Sequence, residues 1–283
     1  MKPTSSHFFW LNVSLFFIST SGVLGRWIAL PPEVSIFWRS FLALPFLLGI
    51  VLVRQYDLKR IFHWDKSIFL AGLLMGIHWV TYFYSLQWSN VAVGMLSLFT
   101  FPVITAFLEP LFFKTTFNKS HLWLGLLTLI GIFFLVPSIE LAQAHGWAVL
   151  LGIFSALCYS LRNLILKKRI GTNSGSELML FQVIIIAVCF SPFLVEHSFS
   201  ESFSYAWALV FLALFTTVIG HSLFLFSLSY FSVTTASIFA CLQPLYGIAI
   251  AFFLLGEAPH WGTYVGGGLI LLAVVLEGRK TTN

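Results

Sequence analysis

Ten apolar runs, each about the length a helix needs to cross a hydrocarbon layer, account for most of the 283 residues. They cover roughly 8–29, 34–53, 67–88, 91–113, 120–137, 146–166, 177–195, 204–229, 232–255 and 260–277. The breaks between them are short: Pro31-Pro32, 54–66, Ser89-Asn90, 114–119, 137–145, 167–176, 196–204, Phe231-Ser232 and 256–260. None leaves room for a soluble domain. Lipid offers backbone N–H and C=O groups no partner, so runs of this kind cross as helices. The expected class is therefore an all-α integral membrane protein, as 59% hydrophobic and 9% charged residues also imply. A soluble domain carries about a quarter charged residues.

The charges report topology. With the N-terminus in the cytoplasm, twelve of the fifteen Lys and Arg residues fall in inner segments: Lys2, 54–66, Lys114 and Lys119, 167–169, Arg279 and Lys280. The other three, Arg26, Arg39 and Arg162, lie within or at the edges of spans, and the outer breaks carry Glu33, Glu140, Glu196, Glu201 and Glu257 instead. This is the positive-inside pattern, and removing one span would scramble it. Both termini are thus expected in the cytoplasm. The same positions account for the net charge of +5 without a nucleic-acid partner, since no basic face is interleaved with base-stacking aromatics. The apolar run after Lys2 is too long for the core of a signal peptide and reads as a retained first helix.

A half-length repeat runs through the chain. The stretch Ser85–Pro102 is echoed at Ser227–Pro244, an offset of 142, which pairs Trp88 with Tyr230, Val91 with Val233, Pro102 with Pro244 and Gly125 with Gly267. An offset of five spans inverts the second half relative to the first. The expected architecture is a 5+5 inverted repeat, with halves 1–139 and 140–283, of the kind that rocks around a midplane site.

The stretch Phe37–Leu48 (FWRSFLALPFLL), the proline-bearing span after a small-residue break in each half, and Leu254–Glu257 (LLGE) before the Gly-rich Gly266–Gly268 carry a family resemblance. The chain resembles the EamA-type family of the drug/metabolite transporter superfamily over nearly its full length. The resemblance implies a 5+5 fold and export of amino acids or other small metabolites across a bacterial inner (plasma) membrane. One departure stands out: the position equivalent to Glu257 is Thr115, and a glutamate occurs six residues earlier, at Glu109.

Ionisable groups inside spans are costly and mark candidate sites. His78 and His221 lie mid-span and one residue from equivalence, which aligns His221 with Trp79. Each could line a cavity, relay a proton or lock two helices. Tyr82 shares the face of His78, with Trp79 adjacent, a surface suited to stacking a planar solute or to meeting lipid. Gln182 and Gln243 are uncharged polar candidates for the cavity or for helix contacts. Arg39, toward the outer side, could clamp a substrate carboxylate or pair with Glu33 or Glu257. Glu109 could snorkel, pair with Arg162 at similar depth, or exchange protons as the coupling group. Pro102 and Pro244 are expected helix kinks that free mid-membrane carbonyls, and Gly72 with Gly76 forms a small-residue helix contact.

No nucleotide-hydrolysing loop is present, and the two aspartates, Asp57 and Asp65, sit together in an inner loop. Cys158, Cys189 and Cys241 are scattered in spans and read as packing residues, and neither histidine has a further ligand at helical spacing, so neither metal nor cofactor is expected. The reading is a secondary transporter for small-molecule solutes, with the lipid bilayer and a coupling proton as its other partners. The alternative is a membrane enzyme acting on lipid with His78, His221 and Glu109 as acid-base groups.

Overall fold

The computed structural model describes residues 3–56, 66–89, 91–135, 146–195, 199–255 and 261–282. Asp57, Asp65, Glu140, Glu196 and Glu257 lie outside the described residues. Every extended element among the described residues is helical. Among the described residues nine segments are long and apolar enough to cross a membrane, and a tenth apolar helix, Lys119–Leu135, has 17 residues. At about 1.5 Å per residue it reaches roughly 25 Å, a little under the hydrocarbon thickness.

Six spans are single α-helices: the first (Ser5–Trp27), second (Pro32–Val53), third (Lys66–Trp88), fifth (Lys119–Leu135), sixth (Gly146–Lys167) and tenth (Trp261–Thr282). The seventh, Gly175–Phe190, ends in a 3-10 turn, Ser191–Leu194. Its start shows how sequence writes a boundary. The Ser174 hydroxyl accepts from the Glu177 N–H at 3.2 Å, and the Glu177 carboxylate accepts from the Ser174 N–H at 2.7 Å, a reciprocal capping box that satisfies two otherwise unpaired donors.

The fourth and ninth spans are broken. The fourth is Val91–Leu98 followed by Phe101–Phe113, and the ninth is Val233–Ala240 followed by Gln243–Leu255. The two breaks, 99–100 and 241–242, are 142 residues apart. Each comes just before the repeated proline, so Pro102 and Pro244 sit in the first turn of a new helix, where a missing N–H costs nothing. The chain is interrupted there rather than merely bent. The eighth span is also composite: Ala206–Phe211, a π-helical stretch Leu212–His221, and Ser222–Ser227, with the short helix Phe199–Ser204 before it.

The packing pairs carry the inverted repeat into three dimensions. The third span lies along the sixth and the first along the eighth, while the second packs on the seventh and the fifth on the tenth. Advancing every span by five converts the third–sixth pair into the eighth–first pair and maps the other two pairs onto themselves. The two halves therefore interleave around a pseudo-two-fold axis. The outer surface is apolar, with Phe9, Val23, Phe41, Trp123 and Val188 exposed, as a lipid-facing surface requires. Cys189 also lies on that surface, whereas Cys158 and Cys241 are buried. Gly72 and Gly76 face Ile185 and Phe190 of the seventh span, where a Cβ would come within 2.6 and 2.9 Å. This is the close helix contact expected of small residues four apart.

The fifth and tenth spans touch backbone to backbone, and a Cβ on Gly266 would lie 2.3 Å from the Gly131 carbonyl oxygen. Nothing lies within 4 Å of a Cβ on Gly268, two residues along the same helix. Gly266→Ala should therefore destabilise the protein by about 1–3 kcal/mol, the usual cost of overpacking, and Gly268→Ala should leave it near wild type. Thermal unfolding of the two detergent-solubilised variants checks this, and equal melting temperatures would refute the close packing of these spans.

Candidate substrate cavity

A small cavity of about 40 Å³ lies where the two halves meet. Its lining comes from the first, third, fourth, sixth, eighth and ninth spans: Ser19, Ser21 and Gly22; His78, Trp79 and Tyr82; Met95, Phe99 and Phe101; Tyr159; His221; and Gln243. The volume holds roughly two or three waters and is far below the ~300–1,000 Å³ typical of ligand pockets. In this conformation the cavity has no room for a metabolite.

His78 serves two purposes at once. Its backbone carbonyl accepts from the Ser155 hydroxyl at 2.8 Å, and its Nδ1 lies 2.7 Å from the same oxygen. Nδ1 also lies 3.2 Å from the Ser155 backbone carbonyl, which can only accept, so Nδ1 carries the hydrogen and the single Ser155 hydroxyl proton goes to the His78 carbonyl. The third and sixth spans are thereby joined, and the imidazole edge is held against the cavity. Tyr159, one turn beyond Ser155, stacks on His78 with ring centroids 4.6 Å apart, and Tyr82 lies nearly parallel to His78 at 6.3 Å.

Trp79 and His221, equivalent positions of the two halves, face one another at 5.4 Å, so the lining straddles the pseudo-two-fold axis. The π-helical stretch ending at His221 adds a wide turn. Such turns occur mostly where function re-aims a side chain. Here it turns Thr217 toward the second span, where the Thr217 hydroxyl accepts from Arg39 Nε at 2.7 Å and donates to the Leu212 carbonyl at 2.9 Å.

Arg39 is therefore a core residue, fully buried, with its guanidinium 3.8 Å above the Trp79 ring and Nη1 donating to Ser21 Oγ at 3.3 Å. It does not pair with Glu33, whose carboxylate instead accepts from the Tyr84 hydroxyl at 2.7 Å. Arg162 is equally buried and donates to Gln182 Oε1 at 2.6 Å and Asn163 Oδ1 at 2.7 Å. Gln182 is thus a partner of Arg162 and lies away from the cavity lining. Glu109 does not meet Arg162. Its two oxygens accept from the backbone N–H groups of Val233 and Thr234, at 2.7 and 2.9 Å. The reason is that the ninth span begins at Val233, where first-turn amides lack helical partners and the positive dipole end attracts a carboxylate from the neighbouring fourth span.

Of the candidates read from the sequence, His78, Trp79, Tyr82, His221 and Gln243 come together around the cavity, and Arg39 stands behind Trp79. Gln182 and Glu109 do not join them. Tyr159, Ser155, Ser21 and Thr217 were missed. A signal existed for the sixth span: Ser155, Tyr159, Arg162 and Asn163 form a polar stripe at helical spacing on an apolar helix.

Comparison with known proteins meets the same architecture. A model of the EamA-like transporter family matches residues 6–136 and again 146–277. The chain belongs to the EamA-like transporter family. Among the relatives of this EamA-like chain is the "Uncharacterized transporter YdfC" of Bacillus subtilis, 26% identical, matching 84% of this chain and 78% of the relative. The "S-adenosylmethionine uptake transporter" of Rickettsia conorii is 24% identical over 76% of this chain and 73% of its own. The "Pseudopaline exporter CntI" of Pseudomonas aeruginosa is 20% identical over 88% and 87%. One solved crystal structure superposes on 99% of this chain and 100% of its own with a TM-score of 0.81 at 14% identity. That likeness concerns the fold alone.

Ser155→Ala removes both bonds between its hydroxyl and His78, leaving Nδ1 only the 3.2 Å bond to the Ser155 backbone carbonyl and the His78 carbonyl only weaker partners such as the Thr81 hydroxyl at 3.3 Å. We expect a loss of about 1–3 kcal/mol, read as a lower melting temperature. Tyr82→Phe, which changes only a hydroxyl at the cavity rim, should melt within a degree or two of wild type. If Ser155→Ala melts like Tyr82→Phe, the clasp between the third and sixth spans does not hold.

Proposed function

We propose that this EamA-like protein is a secondary active carrier of small metabolites, working by alternating access as the halves 1–139 and 140–283 rock about the central cavity. The solutes are amino acids or related compounds, and the net direction is export from the cytoplasm across the inner (plasma) membrane. What carries this reading is a small polar, aromatic cavity at the meeting of the two repeated halves. Relatives named as an uptake transporter and as an exporter support carriage of a solute without deciding its direction.

The two closures resemble one another. At the outer end, Arg26 Nη1 donates to the Gln87 carbonyl at 2.8 Å, and the Gln87 side-chain amide donates to the carbonyls of Ile28 and Leu30 at 3.2 and 3.0 Å. At the inner end, the Lys167 ammonium donates to the carbonyls of Leu228 and Phe231. Adding 142 takes Arg26 to Lys168 and Gln87 to Ser229, within a residue of the inner pair. Each end is thus clasped by a cation from the end of the first or sixth span on a free carbonyl from the end of the third or eighth. A hydrogen bond to a charged group contributes about 1.5–3 kcal/mol, so breaking one clasp is enough to shift the population of open states roughly ten-fold. Glu109 reinforces the inner end by capping the ninth span. A proton bound there would remove the charge that favours those two amides, which makes Glu109 our candidate for coupling.

Counterflow in proteoliposomes tests the carrier directly: saturable tracer uptake driven by unlabelled internal solute, compared with and without a pH gradient. The clasps are tested by a single cysteine at Ser19 in a background lacking the native cysteines. Lys167→Met should raise its labelling from the cytoplasmic side roughly ten-fold and Arg26→Met from the outer side. Labelling identical to the parent in both variants would count against alternating access through these closures.

A further inference from the structure

A groove of about 880 Å³ runs up the inner half of the protein between the second span and the first, seventh and eighth, and it shares no lining residue with the central cavity. Its volume is that of a ligand pocket. Trp10, Phe46, Val53 and Phe226 line it and are exposed at the protein surface, so it opens sideways toward lipid. From Pro45 to Arg54, both in the lining, the second span advances nine residues, about 14 Å of helix. That is about half of the ~30 Å hydrocarbon core, the depth of one leaflet. Gly49 lies midway, and nothing is found within 4 Å of a Cβ placed there, so the space beside it is open.

The foot of the groove is polar. Arg54, the C-cap of the second span, is exposed there and is the one charged residue in the lining among the described residues. The seventh span begins at the same foot. Its capping box engages Ser174 and Glu177 and leaves the first-turn N–H groups of Gly175 and Ser176 without helical partners. The Glu177 carboxylate is folded back onto the Ser174 N–H at 2.7 Å and does not line the groove. Ser222 of the eighth span does line it, and packs on this helix start: a Cβ on Gly175 would come within 2.3 Å of the Ser222 carbonyl oxygen. Ser222 is 7% exposed, and its hydroxyl is buried with no hydrogen-bond partner among the described residues, an arrangement that costs free energy until a partner arrives. A guanidinium, a helix start and an unpaired hydroxyl together suit the oxygens of a phosphate.

We propose that this groove binds an anionic phospholipid of the cytoplasmic leaflet, with its phosphate among Arg54, the first turn of the seventh span and Ser222, and an acyl chain against Phe46, Gly49 and Leu223. Anionic headgroups meet basic side chains at the inner face, and Trp10, near the inner end of the first span, stands where tryptophan anchors to headgroups. A free phosphate would engage the same donors and leave the apolar walls empty. A choline lipid would fill the walls and bring a second cation to Arg54. The walls come from both halves of the repeat, so a bound lipid ties the halves together in this conformation. The site holds whether or not the protein moves a solute.

Native mass spectrometry of the full chain in an uncharged detergent, titrated with phosphatidylglycerol or with phosphatidylcholine of the same chains, counts the lipids retained. Melting temperature is read alongside, with inorganic phosphate as a third additive. We expect the first phosphatidylglycerol to bind roughly ten-fold or more tightly than the first phosphatidylcholine and to raise the melting temperature, and inorganic phosphate to leave it unchanged. Arg54→Gln should weaken that first lipid roughly ten-fold, and Gly49→Phe, which fills the groove, should abolish it. Arg279→Gln, at an exposed position of the tenth span outside the groove, should leave it unchanged. Equal binding of the two lipids overturns the anionic assignment, and protection by inorganic phosphate alone replaces the lipid with a small anion. A loss in Arg279→Gln that matches Arg54→Gln, or full binding by Gly49→Phe, refers the lipid to diffuse attraction by the basic inner face and overturns the groove. If Gly49→Phe does not fold, the comparison of Arg54→Gln with Arg279→Gln decides.

Discussion

Hydrocarbon supplies no hydrogen bonds, and the architecture depends on that constraint. Every backbone group within the membrane has to find its partner in the protein, so the chain is helical wherever it crosses, and each interruption has its own supply of partners. Val233 and Thr234, at the start of the broken ninth span, donate to Glu109 from another span. Leu228 and Phe231, carbonyls without helical partners just before it, accept from Lys167. The junction between the eighth and ninth spans brings charged side chains to the inner end, because its free carbonyls and amides need charged or polar partners.

The same constraint makes the interior polar groups expensive unless they are joined in a network. Arg39 lies flat on Trp79, borrows an acceptor from the π-helical stretch of the eighth span through Thr217, and another from the first span through Ser21. Three spans from both halves therefore converge on one guanidinium. Arg162 does similar work within the second half, tying the sixth span to the seventh through Gln182. The Thr217 contact of Arg39 joins the two halves, whereas the contacts of Arg162 stay within the second. This asymmetry sets the two cations apart even though both are buried.

The pseudo-symmetry is exact in register at the two helix breaks and looser elsewhere. The helix breaks are 142 residues apart, as are the two prolines. Trp79 and His221 occupy equivalent positions with different chemistry, and the eighth span has a π-helical stretch that the third lacks. Duplicated backbone preserves the hinge, because helix geometry tolerates few places for a proline. Side chains inside the cavity answer to a solute that is itself asymmetric.

Much of the fold was legible in the residues themselves. Hydrophobic runs and the distribution of Lys and Arg determine span number and orientation, because lipid selects strongly for both. The offset of 142 determines the inverted repeat, and the spacing of His78, Trp79 and Tyr82 puts them on neighbouring faces, because helical periodicity is local. The tertiary structure alone decided which charges meet. Depth along a span is readable, but rotation about its axis and the identity of its neighbour are not. Arg39 therefore turned to Thr217 rather than Glu33, Arg162 to Gln182 rather than Glu109, and Glu109 to the amides of a helix 124 residues away. The partners of a buried charge are set by packing between spans distant in the chain, and that is information no stretch of sequence carries on its own.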